Sequence, residues 1–201
     1  MRRYVVGVTG ASGSLCARSV LCELLRHPDV EQVHVVLSGY ALRTINAELK
    51  ASARDETEGL RVLLPEQHAD SKVVLHGTAA LEASISSGSF PTDGMVVVPC
   101  SGGTLAAIAN GTTSNLLQRA GEVTLKERRP LVLALRESPL SLVHIENMRR
   151  AALAGAILYP LMPAYYTGPR GIEDIIEQFT ARIFDLLSLP HALGKRWGPT
   201  R

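Results

Sequence analysis

Aromatic side chains are scarce in this 201-residue chain: one Trp, five Tyr and three Phe, 4% of the total. That scarcity excludes a stacking platform for single-stranded bases and calls for a core of Val, Ile, Leu and Ala. An excess of charge is also missing. Lys plus Arg number 21 against 19 Asp plus Glu, a formal net charge of +2, which excludes a dominant basic footprint for nucleic acid or an anionic membrane. Cysteine is limited to Cys16, Cys22 and Cys100. Cys16 and Cys22 lie in one helix-like run, about 9 Å apart along its axis, too far to bridge. No disulfide framework or zinc cluster is expected, and three reduced thiols fit a soluble cytoplasmic protein. No apolar run approaches the roughly 18 residues that span a bilayer. Arg2 and Arg3 before an apolar run resemble a signal peptide only superficially, because Gly10 to Gly13 interrupt the run. The six histidines show no metal-ligand spacing, so no metal is expected, and no G-x-S-x-G elbow marks a serine hydrolase.

What is present is a series of short, solid, β-branched runs: Tyr4–Val8, Val33–Leu37, Met95–Val98, Leu131–Leu135 and Ala156–Leu161. Runs of this kind suit strands buried on both faces of a parallel sheet. Helix-like stretches separate them: 14–26, 41–51, 105–109, 116–127 and 145–154, and then a 3.6-period stripe from Ile172 to Leu187. The alternation predicts one α/β domain over 1–201, a three-layer sandwich, Rossmann-like or flavodoxin-like, with a mainly parallel sheet. Residues 52–83 are the least readable. They hold an exposed charged run at Arg54–Glu58 and a weak strand candidate at Lys72–His76.

In such sheets ligands bind beyond the carboxyl ends of the strands. The first strand leads into Thr9-Gly10-Ala11-Ser12-Gly13 and then directly into a helix, where unpaired N–H groups favour an anion. The glycine spacing is not G-x-G-x-x-G and no P-loop Lys follows, so a mononucleotide phosphate or flavin tail fits better than a dinucleotide. Ser38 ends the second strand as a helix cap or a ligand contact. Pro99-Cys100-Ser101-Gly102-Gly103-Thr104 forms a second small-residue turn, and Ser84 to Phe90 a polar loop that is either a phosphate cradle or plain surface. Arg136-Glu137 closes the fourth strand, a position costly for charge without partners. Arg182 lies beside the apolar stripe of the last helix, either snorkelling or meeting an anion. Arg119, Lys126, Arg136 and Arg182 together could converge on a phosphorylated substrate.

These segments resemble the flavin prenyltransferase family, the UbiX-like flavoproteins. The resemblance rests on Val8-Thr9-Gly10-Ala11-Ser12-Gly13, Ser84-Ile85-Ser86-Ser87-Gly88-Ser89-Phe90, Leu125-Lys126-Glu127-Arg128-Arg129-Pro130-Leu131, Arg136-Glu137-Ser138-Pro139-Leu140 and Pro163-Ala164-Tyr165-Tyr166, and extends from about residue 3 to Trp197. It implies a homododecamer with an active site at each trimer junction, and the segment 172–201 in subunit contacts. Each site would attach a dimethylallyl group from dimethylallyl phosphate to N5 and C6 of reduced FMN. The product, prenylated FMN, would serve a UbiD-type decarboxylase. By the same resemblance Gly10, Ala11, Ser12, Ser38, Ser101, Gly102, Gly103, Thr104 and Arg136 hold FMN. Ser87, Lys126, Arg136, Tyr166 and Arg182 hold dimethylallyl phosphate, Glu48 and Arg119 line the site from neighbouring subunits, and Ser12 and Glu137 move protons. The chain departs from the family pattern at Gly102-Gly103, where Ile or Met and then Lys are usual. Two alternatives share the flavin site: an FMN-dependent cysteine decarboxylase, whose P-x-S-A-N motif is not matched here, and an FMN-binding paralogue without catalysis.

Overall fold

Alternate side chains of the central strands enter two different cores. Tyr4, Val6 and Val8 pack on one side of the sheet and Val5 on the other; Val96 and Val98 oppose Met95 and Val97; Val132 and Ala134 oppose Leu131, Leu133 and Leu135. With both faces apolar, the sheet must be covered on both sides, and crossover helices do this. The computed structural model describes residues 1–64 and 72–196, so the last five residues of the segment expected at subunit contacts, including Trp197, lie outside the described residues.

The strands are β1 (Arg2–Val8), β2 (Val30–Leu37), β3 (Val73–His76), β4 (Gly94–Cys100), β5 (Leu131–Leu135) and β6 (Ile157–Leu158). All their pairings are parallel, in the order β3-β2-β1-β4-β5-β6. Helices α1 (Ser14–Arg26), α2 (Ala41–Leu49), α3 (Glu56–Leu63) and α7 (Ile172–Leu186) contribute to the first core. Helices α4 (Gly102–Asn110), α5 (Leu116–Lys126) and α6 (Leu142–Leu153) contribute to the second. The result is the three-layer α/β fold, in the doubly wound Rossmann order. The direction in which successive strands are added reverses between β1 and β4, so the crevice opens between their carboxyl ends.

Two elements differ from expectation. The charged run at 54–58 starts a helix: the Asp55 side chain accepts the Glu58 N–H at 2.8 Å, and Gly59 lets α3 press against Leu42 of α2. The run Ala156–Leu161 is regular strand only over Ile157–Leu158, although the Tyr159 and Leu161 N–H groups still reach the Leu133 and Leu135 carbonyls of β5, each at 2.9 Å.

The second core holds an unusual polar pair. His34, 3% exposed, stacks on His76 with Nδ1 2.9 Å from the neighbouring Nε2, and Phe90 meets its edge. Burial, then His76 and Arg3, push the His34 pKa down to about 4, and burial lowers His76 as well. Between about pH 6.5 and 4 the unfolded chain therefore binds a proton at residue 34 that the folded chain excludes, and stability falls as pH drops through that window. Urea unfolding is expected to show a loss on the order of 2–3 kcal/mol from this site. A His34→Gln variant should lose most of that dependence; an unchanged slope would remove His34 as its source.

Candidate active site

A buried hydroxyl joins the two glycine turns. Thr9 follows β1; its Oγ1 donates to the Pro99 carbonyl at 2.7 Å and accepts the Ser101 N–H at 2.9 Å, while its own N–H reaches the same carbonyl at 3.3 Å. The starts of α1 and α4 are thereby fixed side by side at the crevice.

The first turn is clamped by α2 and the residue before it. A Cβ on Gly10 would fall 2.5 Å from Tyr40 Cβ, so only glycine admits this approach. Thr44 Oγ1 donates to the Gly10 carbonyl at 3.0 Å. Glu48, four residues further along, accepts the Gly13 N–H at 3.1 Å and the Ser14 N–H at 2.7 Å. Burial alone would raise the Glu48 pKa. Hydrogen bonds from the Ser12 and Ser14 side chains and from these two N–H groups outweigh it, and the carboxyl lies below its ordinary range. The anion-binding start of α1 is thus occupied by the chain's own carboxylate, and Glu48 lines its own chain's turn. Ser38 does not cap α2, whose cap position is Tyr40, although its carbonyl accepts the Ala41 N–H at 2.8 Å.

The second turn is open. Ser101 caps α4 by accepting the Thr104 N–H at 3.3 Å. A Cβ on Gly103 would meet nothing within 4 Å. The first N–H groups of a helix have no intrahelical acceptor, so those of Gly102 and Gly103 are available to a ligand. Arg136 adjoins this turn, its N–H donating to the Cys100 carbonyl at 3.0 Å, and Glu137 Oε2 stands over Gly102. Beside them lies His144 of α6, which has no metal-ligand or catalytic spacing in the sequence and was not among the expected site residues.

Tyr166 and Arg182 line a cleft of about 370 Å³ with Lys195 and Arg196. Arg182 is exposed and pairs with Asp185 at 2.6 Å, which fits a snorkelling cation. Burial pushes the Tyr159 hydroxyl up to about 12, with Arg182 opposing the shift. The three cysteines are buried and unbridged, with burial holding Cys16 at about 11 and Cys100 at about 12.

Ser87, Arg119 and Lys126 lie elsewhere. Lys126 ends α5 and pairs with Glu127 directly over Gly88. Arg119 donates to the Ser86 carbonyl at 3.3 Å and pairs with Glu122. Arg129 donates to the Gly88 and Phe90 carbonyls, each at 2.8 Å, pinning the serine loop. The Pro130 carbonyl accepts the Met95 N–H at the beginning of β4, so Lys126 sits at the amino end of the sheet. Arg136 is at the other end of β5, about 16 Å away at strand rise. The four expected cations therefore do not converge within one chain.

A doubly wound parallel domain with a donor-rich crevice at its switch point is built to bind a nucleotide or flavin. The family model described as Flavoprotein matches residues 1–183. The flavin prenyltransferase UbiX of Chlamydia trachomatis is 41% identical over 197 residues, covering 98% of each chain. A probable UbiX-like flavin prenyltransferase of a Streptomyces species is 45% identical over 199 residues, covering 99% of this chain and 93% of that one. The crystal structure of AnUbiX in complex with FMN and dimethylallyl pyrophosphate aligns with a TM-score of 0.84 at 40% identity, covering 100% and 99% of the two chains. A dodecameric FMN-dependent UbiX-like decarboxylase from Escherichia coli O157:H7 aligns at 0.86 and 40%, covering 98% and 100%. The chain belongs to the Flavoprotein family, and within it to the UbiX flavin prenyltransferases. The FMN-dependent cysteine decarboxylase TvaF, at 15% identity and a TM-score of 0.61, shares the fold alone. FMN suits the residues present: the α4 turn offers free N–H donors and open space where a longer side chain would intrude.

Thr9→Val keeps the shape of Thr9 but leaves the Ser101 N–H without its acceptor and the Pro99 carbonyl with only the 3.3 Å bond from the backbone N–H of residue 9. A stability loss of about 1–3 kcal/mol is expected in urea unfolding. An unchanged midpoint would show that the hydroxyl does not hold the turns.

Proposed function

We propose that the protein transfers a dimethylallyl group from dimethylallyl phosphate to N5 and C6 of reduced FMN, and that prenylated FMN passes to a UbiD-type decarboxylase. The observation that carries this reading is the open α4 turn flanked by Arg136 and Glu137, in a chain alignable end to end with UbiX enzymes. Reduced FMN supplies the electron-rich N5 and C6 positions. The chain supplies the surroundings. Gly10, Ala11, Ser12, Ser38, Ser101 to Thr104 and Arg136 hold the flavin. Arg136, Tyr166 and Arg182 hold the phosphate, whose growing negative charge as its ester bond breaks is met by fixed donors. Glu137 receives the proton lost from C6, directly or through Ser12 Oγ. Glu48 orients Ser12 by accepting its hydroxyl hydrogen bond.

The position of Ser87, Arg119 and Lys126 at the far end of the sheet supports a site completed between chains. In this reading they reach the carboxyl-end site of a neighbouring copy, within a homododecamer whose contacts include 172–201. A single domain spanning 1–201 is the repeating unit. Among the described residues no helix is long and apolar enough to cross a membrane. With three buried, unbridged thiols, we place the protein in the cytoplasm.

Anaerobic incubation with reduced FMN and dimethylallyl phosphate should add one C5H8 unit to the flavin by mass. Tight flavin binding with no adduct would overturn the assignment, and carbon dioxide release from a cysteine-ended peptide would replace it with decarboxylation. Glu137→Gln should bind FMN normally yet lower the rate by about 100-fold or more; a wild-type rate would remove Glu137 as the proton acceptor.

A further inference from the structure

We infer that Asp185 is a positioning residue, which holds Arg182 by one terminal nitrogen and leaves the Nε–Nη2 edge of its guanidinium for two phosphate oxygens. This rests on the phosphate role proposed above for Arg182. Arg182 Nη1 donates to Asp185 Oδ2 at 2.6 Å, three residues further along α7. Among the described residues neither Nε nor Nη2 of Arg182 has a hydrogen-bond partner. Those two nitrogens form a flat fork of the kind that takes a phosphate bidentately. Asp185 is itself fixed by the segment that follows α7. Its Oδ1 accepts Arg196 Nη2 at 2.8 Å and His191 Nε2 at 3.0 Å. The Leu193 N–H donates to His191 Nδ1 at 3.1 Å. A backbone amide can only donate, so the ring hydrogen sits on Nε2, where it faces Asp185. The His191 side chain is only 4% exposed and packs at a steep angle on Phe184 of the first core. The carboxylate is thus held from a buried anchor.

Burial would raise the Asp185 pKa. Hydrogen bonds from Arg196, His191 and Arg182 outweigh it, and the carboxyl lies below its ordinary range. Asp185, Arg182, Lys195 and Arg196 line one cleft, where three cations and one carboxylate leave a positive surplus suited to a phosphate monoester. A pair as exposed as Arg182 with Asp185 adds little stability. What it changes is the freedom of a long side chain. Immobilising such a side chain on binding weakens affinity about three- to tenfold, and with Asp185 in place that ordering precedes the ligand.

Calorimetry of dimethylallyl phosphate binding to the protein loaded with oxidised FMN, which lacks the electron-rich N5 and C6, reads affinity without turnover. Asp185→Asn should bind about three- to tenfold more weakly at about 0.15 M salt, although it removes a negative charge, while FMN affinity stays within about twofold. With reduced FMN, KM for dimethylallyl phosphate should rise by the same factor and kcat stay within about twofold. In an Arg182→Ala background the same substitution should cause no further loss, because no guanidinium remains to be positioned. Unchanged or tighter binding in Asp185→Asn, or an equal loss in both backgrounds, would overturn the inference. If Asp185→Asn does not fold, a crystal structure of the wild-type protein with dimethylallyl phosphate decides. Arg182 Nε and Nη2 should meet phosphate oxygens with Nη1 still on Asp185; phosphate bound away from that edge, or Arg182 parted from Asp185, would refute the positioning role. Binding that behaves as expected without any flavin adduct removes the transfer reaction alone, whereas wild-type affinity in Arg182→Ala removes the phosphate role of Arg182 and the inference with it.

Discussion

The hydroxyl of Thr9 is a small group on which the whole crevice depends. Parallel strands deliver two helix starts to the same end of the sheet, but pairing of β1 with β4 runs only from Tyr4 to Gly7 in register with Gly94 to Val97. Beyond that the backbones diverge into their turns. Thr9, 1% exposed, bridges the gap with a bond to Pro99 and another from Ser101. Being buried, these bonds have no competing water, so separating the turns would strand polar groups at a cost that exposed contacts do not impose. The geometry of α1 and α4 relative to each other is inherited from this clasp.

Each helix start then meets a carboxylate, with different results. Glu48 is bound to the N–H groups of Gly13 and Ser14, which cancels the attraction of α1 for an outside anion. Glu137 stands over Gly102 without closing the α4 turn, where Gly103 faces open space. An incoming anionic group is therefore directed to α4, with Arg136 adjacent. The near-neutral total charge conceals this arrangement, as it conceals the division of cations between the two ends of the sheet.

Much of the fold was legible because buried parallel strands and amphipathic helices write their periods directly into sequence. The limits of α1 and β5 fall where the apolar pattern places them, and the two glycine turns stand where glycine density marks them. The failures have a common cause. Helix α3 was hidden because its short, charged first turn reads as surface, while its stability comes from the Asp55 cap and from Gly59 lying against α2. Glu48 and His144 were not legible in their actual settings because each lies against a turn remote in sequence. The separation of Lys126 from Arg136 was also invisible: ten residues apart in the chain, they are held at opposite ends of one strand.

The clamp made by Arg129 has a kinetic meaning. Its guanidinium fixes the carbonyls of Gly88 and Phe90, and the same short segment carries Lys126 at its other side. The serine loop is consequently pinned from within the chain, and its ordering entropy is spent when the chain folds rather than when another molecule arrives. A surface made this way presents its polar groups already aligned, so an encounter needs only the right orientation, not a rearrangement, to become productive.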